Sequence, residues 1–142
     1  MRVMVMVKVT QESEAGAPPS LEAMETMGQF NEELIKAGIL LSAEGLKATS
    51  QGVRIHMDGA SRIVTDGPFA ETKELIAGFQ IWQVRDMKEA VEWVNKFPNP
   101  TQGVCDIEMR PLFEIEDFAK WDETGDFAAG VEDRRAQVKA KE

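Results

Sequence analysis

Hydrophobic and polar residues alternate along the chain in segments whose spacing predicts strands and helices. The run 3–9 is short, apolar and rich in valine, which predicts a strand buried on both faces for most of its length. The polar segment 10–19 contains a glycine and two prolines and predicts a loop. A helix should follow, because Ser20 is a suitable N-cap and Gly38 a suitable C-terminal cap. Its apolar residues recur at helical spacing: Leu21, Met24, Met27, Phe30 and Leu34.

The rest of the chain predicts further strands, a hairpin and a second helix. The Asp58-Gly59 pair separates two extended runs and predicts a tight hairpin turn, because glycine tolerates a positive φ. Asp86 and Glu89 have the spacing of a capping box at the start of the second helix, and Pro98 should end it. The predicted strands after the first helix are 39–46, 53–57, 62–65, 78–84 and 104–109.

This order of elements is that of the ferredoxin-like split βαβ arrangement, an α+β fold with an antiparallel sheet, here with an extra hairpin. Two helices cover one face of such a sheet. The first strand places Met4 and Met6 on one face and Val3, Val5 and Val7 on the other, so both faces are predicted to be buried. A second copy of the chain is the simplest cover for the remaining face, which predicts a homodimer.

The composition changes after the last strand. Residues 1–113 are predicted to form the α+β domain, and residues 114–142 a charged, partly helical C-terminal tail. Four aromatic residues in or beside this tail are expected to dock on the protein rather than stay in water: Phe113, Phe118, Trp121 and Phe127.

Charge and cysteine content exclude several classes of partner. The 142 residues carry 25 acidic and 16 basic side chains, a net charge of −9, which argues against direct binding to nucleic acid or to an anionic membrane surface. Cys105 is the single cysteine, so no intrachain disulfide can form. The apolar start of the chain is too short for a membrane span and has no signal-peptide cleavage pattern, which predicts a cytoplasmic protein.

One segment resembles a known family. Residues 66–74, with the sequence Asp-Gly-Pro-Phe-Ala-Glu-Thr-Lys-Glu, resemble the signature of the DGPF proteins within the YCII-related family. Flanking segments 37–40, 44–46, 78–79, 86–93 and 108–118 resemble the same family, so the resemblance covers residues 1 to about 118. The resemblance implies a dimeric α/β barrel, in which two ferredoxin-like sheets pack face to face. It also implies a possible link to transcription, because DGPF proteins often occur beside sigma factors.

The signature segment is the candidate ligand site. The Asp66 carboxylate is expected to accept hydrogen bonds from amides two or three residues on, and Phe69 to anchor the loop in the core. The alternative is that the segment is only a tight structural turn. The candidate ligand-binding residues are Gly67, Pro68, Phe69, Glu71 and Trp82, the last as a residue that either lines the barrel mouth or belongs to the core.

The same segment carries the candidate catalytic residues. Asp66, Lys73 and Glu74 would act as general acids and bases if partly buried; the alternative is a solvated charged stretch. Family members that resemble enzymes place a His–Asp pair at their site, with the histidine on the first helix. Here the single histidine, His56, lies on a predicted edge strand, and Cys105 is predicted to be a small core residue. No zinc motif, dinucleotide fingerprint or phosphate loop occurs, so no metal or cofactor is predicted.

These observations favour a protein that binds a small molecule in a pocket of the dimeric barrel near the signature loop, in a non-catalytic or regulatory role. The alternative is a cofactor-free enzyme, lyase-like or isomerase-like, that performs acid–base chemistry on a small organic substrate. A haem- or flavin-linked oxidoreductase fits least well.

Overall fold

A computed structural model of the protein describes residues 1–70, 72–101 and 103–141. These form two compact units, Met1–Pro111 and Leu112–Glu142. The strands are β1 (Arg2–Lys8), β2 (Leu40–Gly45), β3 (Val53–Asp58), β4 (Ser61–Asp66), β5 (Ile76–Gln83) and β6 (Ile107–Pro111). The helices are α1 (Gln11–Glu14), α2 (Leu21–Lys36), α3 (Met87–Val94) and α4 (Asp126–Lys139).

Four strands form one antiparallel sheet in the order β2-β5-β1-β6, and β3 pairs with β4 in a separate two-stranded sheet. The helix α2 connects β1 to β2, and α3 connects β5 to β6, so each helix links two strands that have one antiparallel strand between them. This is the split βαβ topology. The predicted ferredoxin-like α+β fold is therefore confirmed, with β3 and β4 as the extra hairpin between β2 and β5.

The core lies between one face of the sheet and the helices. On this face Val3 pairs with Trp82 and Val5 with Gln80 across β1 and β5. Both valines and the tryptophan are fully buried, together with Leu34 of α2. The core cluster also contains Phe30, Ile39, Val84 and Ala90. Helical periodicity and strand alternation thus bring the apolar residues of both element types to one interface.

The ends of α2 follow the predicted local chemistry. The Ser20 hydroxyl accepts a hydrogen bond from the Ala23 amide at 3.1 Å. Gly38 has φ +72°, and the amide after it, that of Ile39, donates to the Leu34 carbonyl at 2.8 Å. Both predicted caps are confirmed, because a serine oxygen satisfies a free amide and glycine adopts the left-handed conformation without strain.

Three local predictions need correction. The segment 10–19 is not all loop: it contains α1, which is capped by reciprocal hydrogen bonds between Thr10 and Ser13. The last strand begins at Ile107 rather than at 104; upstream of it, the Asn99 and Thr101 side chains hydrogen-bond to backbone groups of Thr101 and Gly103. Asp86 caps α3 by accepting from the Glu89 amide at 2.9 Å, but the Glu89 carboxylate bonds the amide of residue 85 instead of completing the capping box.

The hairpin is exposed along its whole length. Gly59 has φ +54° at its turn, as the Asp-Gly signal predicts. One face carries four apolar side chains with exposed fractions of 54–66 %: Val53, Ile55, Met57 and Val64. A two-stranded sheet is marginal by itself in water, so this surface is a candidate for contact with another chain.

The second unit consists of a short helical turn, Ile115–Phe118, and α4. The Asp122 carboxylate caps α4 by accepting from the amides of Phe127 and Ala128 at 3.0 and 2.8 Å. Phe118 is partly buried against Phe113 and Phe127, with ring centroids 5.2 and 5.1 Å away. Trp121 is 78 % exposed, Phe113 72 % and Phe127 47 %, so the expectation that these four aromatic residues would be withdrawn from water is confirmed for Phe118 and wrong for the other three. In the described parts of the chain, no helix is long and apolar enough to cross a bilayer.

Adjacent residues of α2 provide a test of the packing. Leu34 is fully buried, whereas Ile35 is 61 % exposed. We expect Leu34→Ala to lower the free energy of unfolding by about 2–5 kcal/mol, because it leaves a cavity in the core. The matched Ile35→Ala variant should stay within about 0.5 kcal/mol of the wild type. Urea unfolding followed by circular dichroism measures both, and equal losses would contradict the assigned core.

Candidate functional site

A large cleft lies between the N-terminal half of α2 and the β2–β5 side of the sheet. Its volume is about 1240 Å³, and residues 10–13, 16–20, 97, 100–101 and 103–104 of the described chain complete its walls. Ligand pockets in proteins are commonly about 300–1000 Å³. The cleft is therefore large enough for a small organic molecule.

Small residues create this cleft. Ala23 and Gly28 line it from α2, and Ala43 and Gly78 line it from the strands. A Cβ at Gly78 would lie 2.9 Å from the backbone oxygen of Glu44, so no larger residue fits there without displacement of the backbone. The C-terminal half of α2 instead carries Phe30 and Leu34, which fill the core. One helix thus packs tightly at one end and leaves space at the other.

A chain of hydrogen bonds forms the inner wall of the cleft. The indole Nε1–H of Trp82 donates to Gln80 Oε1 at 2.7 Å, and Gln80 Nε2 donates to Asn31 Oδ1 at 2.9 Å. Trp82 is fully buried and Gln80 is 6 % exposed, while both Gln80 and Asn31 line the cleft. Met27 adds a weak sulfur acceptor 3.9 Å from Gln80 Nε2.

The cleft is lined by equal numbers of positively and negatively charged side chains. The ionisable side chains among its lining residues are two lysines and two glutamates: Lys8, Lys47, Glu12 and Glu44. The Lys8 ammonium also pairs with the Glu108 carboxylate at 3.1 Å. The lining therefore offers no strong net charge to a ligand.

The signature segment packs on a different part of the domain. The Gly67 amide donates to the Gly52 carbonyl at 3.0 Å, and the Phe69 amide donates to the Thr49 hydroxyl at 3.0 Å. A Cβ at Gly67 would lie 1.7 Å from the Thr49 carbonyl oxygen. The Thr49 hydroxyl in turn donates to the Glu14 carboxylate of α1. Glycine is required here because two backbone segments approach each other closely.

Two expectations about this segment are wrong. The Phe69 amide bonds to Thr49, not to Asp66, and within the described chain the exposed Asp66 carboxylate accepts no hydrogen bond. Phe69 is only partly buried rather than part of the core: the Arg54 guanidinium lies 4.1 Å from its ring centroid. A cation–π contact at the surface therefore holds the ring.

The structure does not gather the predicted site residues into one pocket. Phe69 and Glu74 line a shallower cavity of about 600 Å³, together with residues of the 46–52 segment. Gly67 is partly buried, and Asp66, Pro68, Lys73 and Glu74 are exposed. Glu71 lies outside the described residues. Trp82 is a core residue, and its indole reaches the large cleft only through Gln80.

The single cysteine is a poor nucleophile. Burial raises the pKa of the Cys105 thiol, and the neighbouring Asp106 carboxylate raises it further. Its sulfur contacts the Asp106 carbonyl oxygen at 3.8 Å. A thiol that keeps its proton at neutral pH lacks the thiolate that nucleophilic catalysis needs.

Sequence reasoning did not identify Asn31 and Gln80. Each is a polar residue at an inward position: Asn31 follows Met27 by one helical turn, and Gln80 lies two residues before Trp82 on the same strand face. A polar residue on an otherwise apolar face was the available signal, because buried amides need hydrogen-bond partners.

Comparison with known proteins identifies the family of this protein. The chain matches the YCII-related domain over residues 1–116 and belongs to that family. It is also similar to an uncharacterised protein of Rhizobium meliloti (strain 1021), with 29 % identity over 89 residues, which cover 63 % of this chain and 72 % of that protein.

The close approach at Gly67 can be tested. We expect Gly67→Ala to lower the free energy of unfolding by about 2–3 kcal/mol, because the added methyl group collides with the Thr49 carbonyl. Gly28→Ala is the control: nothing lies within 4 Å of a Cβ there, and alanine should stabilise α2 by about 0.5–1 kcal/mol. Urea denaturation measures both, and a Gly67→Ala variant as stable as the wild type would refute the assignment.

Proposed function

We propose that this YCII-related protein binds a small organic molecule, without catalysis, in the cleft between α2 and the sheet. The observation that carries the proposal is the cleft itself: about 1240 Å³ of space with an inner wall of hydrogen-bonded amides. A mostly apolar cavity with a few fixed polar groups is the usual form of a small-molecule site.

The proposed ligand lies away from the signature segment. Asp66, Lys73 and Glu74 are exposed, whereas groups that exchange protons with a substrate work best where water is excluded. This arrangement favours binding over acid–base catalysis. The segment 46–51 separates the two cavities, and Leu46, Lys47, Ala48 and Gln51 line both. We therefore assign the signature loop a supporting role: it holds one edge of the cleft through its contacts with Thr49 and Gly52.

We also propose that the protein acts as a homodimer. The sheet face opposite the core carries Met4, Met6, Phe79 and Ile81, which the strand register places side by side. The exposed hairpin adds a second apolar surface on the same unit. A second copy packed on both surfaces would remove these apolar side chains from water.

Blocking the cleft tests the binding function. Gly28 faces open space within the cleft, so Gly28→Trp should fill part of it without disturbing the backbone. In a small-molecule screen by saturation-transfer NMR, compounds that bind the wild type should lose at least about tenfold in affinity for this variant, because the indole takes their volume.

The neighbouring Gln29 is exposed and does not line the cleft, so Gln29→Trp is the matched control and should bind the same compounds as the wild type. The proposal fails if no compound binds, or if Gly28→Trp retains the affinity of every compound.

Self-association is tested by a charge on the open sheet face. Light scattering at micromolar concentration should give about twice the chain mass for the wild type. Ile81→Lys should give a monomer with unchanged circular dichroism, because a buried lysine at the interface lacks a partner. Gln29→Lys adds the same charge on an exposed position of α2 and should remain a dimer. A monomeric wild type would contradict the dimer.

A further inference from the structure

The direction of the hydrogen-bond chain in the cleft wall is determined by chemistry. An indole nitrogen only donates, so the Gln80 atom 2.7 Å from Trp82 Nε1 must be the amide oxygen. The other end of the Gln80 amide is then a nitrogen, and its partner on Asn31 at 2.9 Å must be an oxygen. Asn31 therefore turns its own nitrogen, Nδ2, away from Gln80.

This nitrogen is the group that the wall offers to a ligand. Among the described residues, Asn31 Nδ2 donates to no protein acceptor, and Asn31 lines the cleft. Because Trp82 and Gln80 are buried, a 180° rotation of the Gln80 amide would leave the indole N–H unbonded, and a rotation of the Asn31 amide would place two amide nitrogens against each other. The wall thus presents the Asn31 Nδ2 donor to the cleft in a fixed orientation.

The surroundings favour a neutral ligand. The four ionisable residues that line the cleft cancel in charge, and Lys8 is already paired with Glu108. A single neutral amide stabilises a buried carboxylate too little to offset its loss of hydration. The nearby wall is apolar, with Met24, Met27 and Phe97.

From these observations we infer that the cleft selects a neutral, largely apolar molecule with a carbonyl oxygen, which accepts a hydrogen bond from Asn31 Nδ2. The inference rests on the proposed binding function and adds the chemical class of the ligand. The role of Gln80 is to position Asn31, and Trp82 fixes Gln80.

Three probes with the same ring system test the inference. They are 2-acetylnaphthalene, which has a ketone, 2-isopropenylnaphthalene, in which a CH₂ group replaces the ketone oxygen, and 2-naphthoate, which is an anion. Their dissociation constants are measured by titration calorimetry on the full chain and on Asn31→Asp. This variant keeps the oxygen that accepts from Gln80 and replaces the donor that faces the cleft by an acceptor.

We expect the ratio of ketone to alkene affinity to fall about three- to tenfold in Asn31→Asp, the value of one neutral hydrogen bond. Gln29→Glu introduces the same charge on an exposed position of α2 and should leave the ratio unchanged. The naphthoate should bind the wild type more weakly than the ketone does.

An infrared measurement gives a readout that a structural effect does not produce. With a ¹³C-labelled ketone, the carbonyl stretch should shift to lower frequency on binding to the wild type, and this shift should be absent in Asn31→Asp.

If neither the ketone nor the alkene binds, the cleft is not a ligand site and both proposals fail. If both bind and Asn31→Asp leaves the ratio and the carbonyl stretch unchanged, only the inference about Asn31 is wrong. If the naphthoate binds more tightly than the ketone, the inference that the cleft selects a neutral ligand is wrong.

Discussion

The need of one buried indole for a hydrogen-bond acceptor organises the interior of this domain. Trp82 is fully buried on the central strand β5, and a buried N–H without a partner costs about 1–3 kcal/mol. Its acceptor is Gln80, two residues earlier on the same face, and this glutamine requires an acceptor of its own, which Asn31 supplies from α2. The buried Trp82 side chain is therefore linked to two amides, those of Gln80 and Asn31, at the boundary between core and cleft.

The two halves of α2 lie on different sides of this boundary: the C-terminal half packs in the core, and the N-terminal half lines the cleft. Phe30 contacts Trp82 and Phe97 with ring centroids 6.3 and 5.3 Å away, and this aromatic cluster secures the C-terminal half of the helix. The N-terminal half offers small or flexible side chains, among them Met24 and Met27, which adapt to different contact shapes. A cleft beside a rigid core needs little rearrangement to accept a ligand.

The signature segment shows how a recognisable sequence can serve architecture. Its Gly67 backbone lies so close to Thr49 that any side chain is excluded, and Phe69 is held by an amide–hydroxyl bond and by Arg54. These contacts connect β4 to the turn at 49–51 and, through Glu14, to α1. Both α1 and that turn contribute residues to the cleft, so these contacts connect the segment to the walls of the cleft.

The sequence by itself determined the fold class, the helix caps at Ser20 and Gly38 and the turn at Gly59. These depend on periodicity and on local bonds within a few residues, which a sequence displays directly. The site was decided by tertiary structure. Asn31 and Gln80 are 49 positions apart, and their contact exists only because α2 packs on β5. Likewise, Asp66 and Phe69 carry the chemistry of a ligand loop, but the approach of Thr49, 20 positions earlier than Phe69, takes up the amide that the sequence assigned to Asp66. Local chemistry predicts elements, whereas partners distant in the chain decide which polar groups remain available for a ligand.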